Sequence, residues 1–247
     1  MKISYQELEV NGYTIRGLFT EPDDGYQDVM VMLHGYTGHK NENGFLFKQI
    51  TEKVLPLGIA TLRFDYMGSG DSDGKFQDQT FDTVCNDANK IIDLGLKLNN
   101  NKQIILLGFS MGGACASVMA GQRKNDIKKL ILMSPAGCML NLLTNTFKNN
   151  HVVDNKYVDL GGYYVSKNFL ESFKKYDLYA YAPLFDKEVL ITQGLSDLSV
   201  FPSVSKKYAD LYNNCRYVLI SGAPHCYTSV KYREEVESVV VDFLKTK

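Results

Sequence analysis

Short, continuous apolar runs alternate along this chain with stretches whose apolar residues recur at helical spacing. Val29-Met30-Val31-Met32-Leu33 is one such run, and similar runs recur at 58–64, 103–108, 129–133, 188–192 and 216–220. Runs of this kind read as strands buried on both faces, as in parallel sheets. Between them, Phe81, Val84, Cys85, Ala88, Ile91 and Ile92 fall on one helical face. So do Val236, Val239, Val240, Phe243 and Leu244, at the i, i+3, i+4, i+7, i+8 positions of an amphipathic helix. Residues 2–9 and 13–20 read as two further strands joined by Asn11-Gly12. That pair suits a type I′ turn, whose central residues both need positive φ. Strands alternating with amphipathic helices predict an α/β fold: a mostly parallel, eight-stranded sheet flanked by helices. Ligands in such sheets bind beyond the carboxyl ends of the strands.

One stretch breaks the rhythm. Residues 137–182 lack a βαβ pattern, and nine of these 46 positions are aromatic, against 12% for the whole chain. A structureless loop of that length is uncommon, so the stretch reads as a cap or lid subdomain inserted into a single domain spanning 1–247. Most of its rings are expected to build the insertion's own small core, with two or three facing a ligand.

Composition removes several function classes. Lys and Arg number 27 against 28 Asp and Glu, giving a net charge of −1. Nucleic-acid binding and polybasic membrane anchoring both rest on a surplus of basic residues. Mean hydropathy is −0.19. The longest apolar runs, such as Ile104-Ile105-Leu106-Leu107, are too short to span a bilayer, and the first residues hold no signal-length apolar stretch. The expectation is a soluble, cytoplasmic protein without a membrane partner. Five cysteines, none in a C-x-x-C pair, argue against a disulfide framework or a zinc site. There is no Trp, and the four histidines are His34, His39, His151 and His225.

The strongest chemical signal is Gly108-Phe109-Ser110-Met111-Gly112, between an apolar strand and a helical run. G-x-S-x-G in that context is a nucleophile elbow: the serine sits in a strained turn, so its neighbours two positions away must be small. A serine hydroxyl needs a base to take its proton. His151 and His39 lie in polar stretches, and His34 ends a strand upstream and reads as a brace for its loop. His225 follows the last strand and lies downstream of Ser110, which makes it the base. The residue that orients it should also follow a strand. Asp197 does, after Val189-Leu190-Ile191-Thr192. Asp186 lies at the wrong end of that strand, Asp177 inside the insertion and Asp210 in a helical pattern.

The order Ser110, Asp197, His225 is that of the α/β-hydrolase fold. His34-Gly35-Tyr36-Thr37-Gly38-His39 resembles the His-Gly oxyanion loop of that superfamily. The resemblance implies that the backbone N–H groups of Tyr36 and Met111 form the oxyanion hole. The whole chain further resembles the bacterial cinnamoyl (feruloyl) esterases. The matching segments are His34–Gly38, Arg63-Phe64-Asp65-Tyr66-Met67-Gly68-Ser69-Gly70-Asp71-Ser72-Asp73-Gly74, the elbow, Asp197, Ala223-Pro224-His225-Cys226 and Leu160-Gly161-Gly162-Tyr163-Tyr164. It implies that the insertion walls the acyl site and that Tyr164 meets the phenolic end of the substrate. The chain departs from the family at Ser69 and Phe109, where members often carry histidine.

These readings together predict a serine carboxylic-ester hydrolase. It would act on small-molecule hydroxycinnamate-type esters through an acyl-enzyme, with no metal or organic cofactor. Rival activities on the same residues are those of a monoacylglycerol lipase, a thioesterase or a peptidase. A catalytically dead binding protein is the alternative outside enzymes. The insertion's tyrosines, with Lys148, Lys156, Lys167, Lys174 and Lys175, favour a polar aromatic substrate over a lipid. The oligomeric state stays open, with a homodimer as the candidate assembly.

Overall fold

The computed structural model describes residues 1–245, so the last two positions of the expected 1–247 domain lie outside the described residues. The N-terminal hairpin pairs β1 (Lys2–Val10) with β2 (Tyr13–Glu21) through Asn11-Gly12. Both turn residues have positive φ, 48° and 88°. The central strands are β3 (Asp28–Leu33), β4 (Ile59–Phe64), β5 (Ile104–Phe109) and β6 (Ile127–Met133). After a three-stranded excursion described below, β10 (Glu188–Gly194) and β11 (Cys215–Ile220) complete an eight-stranded sheet in the order β1-β2-β4-β3-β5-β6-β10-β11. From β4 to β11 every pairing is parallel. Six of the eight strands lie where the apolar runs predict them, and β1 and β2 where the Asn11-Gly12 hairpin does.

Because successive strand residues face opposite sides, the central strands feed two cores. Val29, Val31, Leu33, Leu106 and Leu132 face one, under α2 (Phe81–Leu98), α3 (Met111–Gln122) and α6 (Pro202–Leu211). Met30, Met32, Leu107, Ile131 and Leu190 face the other, under α1 (Leu46–Val54) and α7 (Val230–Lys245). Helix α2 starts at a Thr80–Thr83 capping box. It buries all six residues of its predicted face, at about 1.5–3 kcal/mol for each large apolar side chain fully removed from water. Helix α3 has no polar face, and ten of its residues are buried, as an all-apolar central helix requires.

Between β6 and β10 lie α4 (Met139–Asn149), strands β7 (Val152–Val153), β8 (Tyr157–Leu160) and β9 (Tyr163–Ser166), and α5 (Lys167–Phe173). The strands form a separate antiparallel sheet, β7-β8-β9. This segment docks on the start of α2. The Phe81 N–H donates to Ser172 Oγ at 2.8 Å, and Phe81 stacks on Phe173 at 4.3 Å. Among the described residues no helix is long and apolar enough to cross a membrane.

Candidate active site

Ser110 caps α3 directly after β5, with φ 54° and ψ −119°. Such a backbone costs about 1–3 kcal/mol and persists only where its surroundings enforce it. Here they do. The Ser110 N–H donates to Met133 O at 2.9 Å, and Ser110 O accepts from Ala136 at 2.9 Å and Ala114 at 3.1 Å. A Cβ on Gly108 would overlap the Gly112 carbonyl, and one on Gly112 would overlap the carbonyls of Leu33 and His34. Both glycines are therefore required by close backbone approach, and the second sets the elbow against the loop after β3.

His225, in the loop after β11, places Nε2 2.9 Å from Ser110 Oγ and Nδ1 2.7 Å from Asp197 Oδ2. With Asp197 as the acceptor, Nδ1 carries the ring proton and Nε2 is free to accept from the serine. Asp197 follows β10 and is buried. Its Oδ1 accepts from the N–H groups of Ser199 at 2.9 Å and Val200 at 2.8 Å, and its Oδ2 accepts from Gln193 Nε2 at 2.9 Å. Burial alone would raise the Asp197 carboxyl, but His225 and these donors outweigh it and hold it below the usual range. The site therefore keeps its anion beside the imidazole, where it stabilises an imidazolium as one forms.

The other histidines are placed otherwise. Buried His34 donates from Nδ1 to Gly35 O at 2.8 Å and accepts the Tyr66 N–H on Nε2 at 3.1 Å. Burial pushes it down to about 4, so it is a neutral brace between two loops. His39 is exposed and accepts the Asn41 N–H at 3.2 Å, and His151 is exposed in the insertion. Tyr36 follows the braced Gly35. Met111 opens α3, where the first N–H groups of a helix have no intrahelical acceptor.

Two cavities meet at Ser110, His225 and Tyr36. One, about 230 Å³, is walled by Met139, Leu142, Leu143, Leu160 and Val200. The other, about 310 Å³, is lined by Thr37, His39, Glu42, Asn43 and Cys226. The insertion reaches the first cavity through aliphatic side chains. None of its nine aromatic residues lines either cavity, contrary to the expectation of two or three facing a ligand. Phe169 and Phe173 are buried against Tyr36 and Phe81 instead. Tyr164 is likewise not brought to the serine. It is 48% exposed on β9, with its ring 5.9 Å from Tyr157. In the β8–β9 hairpin the cavity-facing position is Leu160, the partner of Tyr163 in the register. Among the described residues no cluster of three or more His, Cys, Asp or Glu could hold a metal ion.

Three residues around the site went unread in the sequence: Gln193 under Asp197, Glu42 under Gly35, and Arg233. The Arg233 guanidinium donates to Tyr227 O at 2.9 Å and to Asn43 O at 2.6 Å, bridging the loop of His225 to the loop of Tyr36. Glu42 and Arg233 work through backbone groups that carry no motif, and Gln193 through the Asp197 carboxylate.

Comparison with known proteins bears on the fold and the family. Over 97% of both chains, the structure superposes on Est1E from Butyrivibrio proteoclasticus with ferulic acid bound, with a TM-score of 0.86 and 25% identity. In sequence, the chain is 36% identical over 121 residues to the AB hydrolase superfamily protein YisY of Bacillus subtilis (strain 168), covering 48% of this chain and 41% of that protein. It is 31% identical over 129 residues to monoacylglycerol lipase abhd6-A of Xenopus laevis, covering 51% and 34%. The matched stretch thus spans less than half the length of either relative. Residues 25–211 match the Hydrolase_4 family, described as serine aminopeptidase S33. With that match over most of its length, the chain belongs to this family of α/β-hydrolases.

Proposed function

We propose that the protein is a serine carboxylic-ester hydrolase that works through an acyl-enzyme and prefers hydroxycinnamate-type esters. One observation carries the reading: Ser110 Oγ lies 2.9 Å from His225 Nε2 where the two cavities meet. Ser110 attacks the ester carbonyl as its proton passes to Nε2. The charge that develops on the carbonyl oxygen falls to the Tyr36 and Met111 amides, and such donors are worth about 3–4 kcal/mol each. The carbonyl–alkoxy bond then breaks and His225 protonates the departing alcohol. Water, deprotonated by the same nitrogen, adds to the acyl carbon. Release of Ser110, reprotonated by His225, frees the acid. Asp197 holds one tautomer throughout.

In this reading the 230 Å³ cavity takes the acyl group and the 310 Å³ cavity the alcohol, and segment 137–182 acts as a cap over the acyl side. The preference for aromatic acids rests on the whole-chain likeness to Est1E. Tyr164 has no part in it. The aliphatic lining favours a second reading, an alkyl acyl chain such as that of a monoacylglycerol.

The test compares kcat/KM for methyl ferulate, a short p-nitrophenyl ester and a monoacylglycerol. Methyl ferulate should be the best of the three, and Ser110→Ala should lower turnover on all of them by several orders of magnitude. Preference for the monoacylglycerol would replace the aromatic reading with the alkyl one. Full activity in Ser110→Ala would remove both.

A further inference from the structure

We infer that Glu42 is a positioning residue of the oxyanion site, fixing the direction of the Tyr36 amide through the backbone of Gly35. The inference rests on the serine-hydrolase reading above. Glu42 is only 3% exposed, and its backbone, at φ 59° and ψ 170°, lies in a region that residues other than glycine avoid. A charged side chain held there, out of water, needs hydrogen-bond partners. Those it finds are amides of the loop itself: Oε1 accepts from the Gly35 N–H, and Oε2 from the Asn43 N–H at 3.0 Å.

The loop is shaped around the carboxylate. A Cβ on Gly38 would stand 2.7 Å from Oε1, and one on Gly35 3.2 Å from it. Arg233 holds the carbonyls of Asn43 and Gly44 on the far side of the same turn. The other end of Gly35 is fixed too, because its carbonyl accepts from His34 Nδ1 at 2.8 Å and from the Gly38 N–H at 3.1 Å. A trans peptide points the next N–H opposite to that carbonyl. Bonds at both ends of Gly35 therefore leave the Tyr36 N–H a single direction. Glu42 itself bonds neither Ser110 nor His225; it reaches the imidazole only as a charge through space, and its hydrogen bonds act through the loop, which is why Gly38→Ala, which leaves that charge in place, belongs in the test below.

The experiment measures kcat and KM on a p-nitrophenyl ester. Alongside these it measures inhibition by a trifluoromethyl ketone, whose serine adduct carries an oxyanion, and melting temperature. Removing one oxyanion donor costs roughly 100- to 1000-fold in kcat, and a misdirected donor should approach that. Glu42→Ala should lower kcat about 100-fold, with KM nearly unchanged and ketone affinity falling in parallel. Glu42→Gln keeps one acceptor oxygen and should lose less, about 10-fold. Gly38→Ala, which crowds Oε1 from the other side, should show the same signature. The inference is overturned if Glu42→Gln and Gly38→Ala, both folded, keep wild-type kcat and ketone affinity while Ser110→Ala is dead. It is also overturned if the variants lose only thermal stability. Should Ser110→Ala remain active, the serine reading fails and the inference falls with it.

Discussion

Gln193 Nε2 donates to the same oxygen of Asp197 that faces His225. The two contacts to Oδ2 measure 2.9 Å from Gln193 and 2.7 Å from the imidazole. The amide cannot usefully turn over, because Nε2 also lies 3.1 Å from the carbonyls of Gly194 and Val200. A flipped oxygen would meet three acceptors. The actual Oε1 is buried without a hydrogen-bond partner among the described residues, so the side chain is held for its donor end.

Replacing Gln193 by Leu should therefore act on Asp197 rather than on the serine. A hydrogen bond to a charged group contributes about 1.5–3 kcal/mol. Asp197 is a carboxylate whose folded value is depressed despite its burial. It supports the fold above its unfolded value, and that support is lost as pH falls through the folded one. Removing a donor raises the folded value. The acid limb of kcat/KM and the acid unfolding midpoint of Gln193→Leu should both move toward neutral pH, while activity at pH 8 falls by about tenfold at most. A pH–rate profile with an unmoved acid limb would show that the bond does not govern Asp197.

The legible part of the molecule is what periodicity and strand-end position encode. Six strands of the main sheet stand in the apolar runs and two flank the Asn11-Gly12 turn, and Ser110, Asp197 and His225 all follow strands, which is what singles them out in the sequence. Segment 137–182 stood out as a break in the rhythm, but its internal strands were not legible, because they are two to four residues long, too short to show a period. Two or three of its rings are expected from sequence to face a ligand, yet Phe169 and Phe173 pack against Tyr36 and Phe81. The supports of the site were hidden for another reason. Glu42 and Arg233 act on carbonyls and amides 190 or fewer positions away, and a backbone group leaves no mark in sequence.

Asp87 gives the fold a pH dependence of its own. It sits on the buried face of α2, where Oδ1 accepts from the Tyr13 hydroxyl at 2.7 Å and Oδ2 from the Met67 N–H at 2.8 Å. Burial pushes its carboxyl up to about 6, against the pull of these two donors. The unfolded carboxyl titrates at about 3.9, so between about pH 4 and 6 the folded chain holds a proton that the unfolded chain has released. Stability from this group is present at acid pH and declines as pH rises through that window, by about 2–3 kcal/mol. Asn at this position can accept from Met67 and donate to the Tyr13 oxygen without carrying charge. Asp87→Asn should flatten the melting temperature between pH 4 and 6 and raise it by several degrees at pH 8. A large loss of stability at pH 8 would mean that the ionised carboxylate is worth more than its burial costs.

Tyr36 separates the work of a backbone from that of its side chain. Its ring stacks on Phe169 at 5.0 Å and 14°, and packs on Phe76 at 5.4 Å. The hydroxyl is buried with no hydrogen-bond partner among the described residues, and burial pushes the phenol far above its ordinary range. An unsatisfied buried hydroxyl costs about 1–3 kcal/mol. Phenylalanine keeps the ring contacts and removes that cost, and the backbone amide proposed to face the oxyanion is the same in both. Tyr36→Phe should melt a few degrees higher, at about 2–4 °C per kcal/mol for a chain of this size. Its kcat/KM on a p-nitrophenyl ester should stay within about twofold of wild type if the amide alone does the chemistry. A loss above about tenfold confined to methyl ferulate would instead mean that the phenol, once a substrate opens the ring stack, becomes a partner of the aromatic acid.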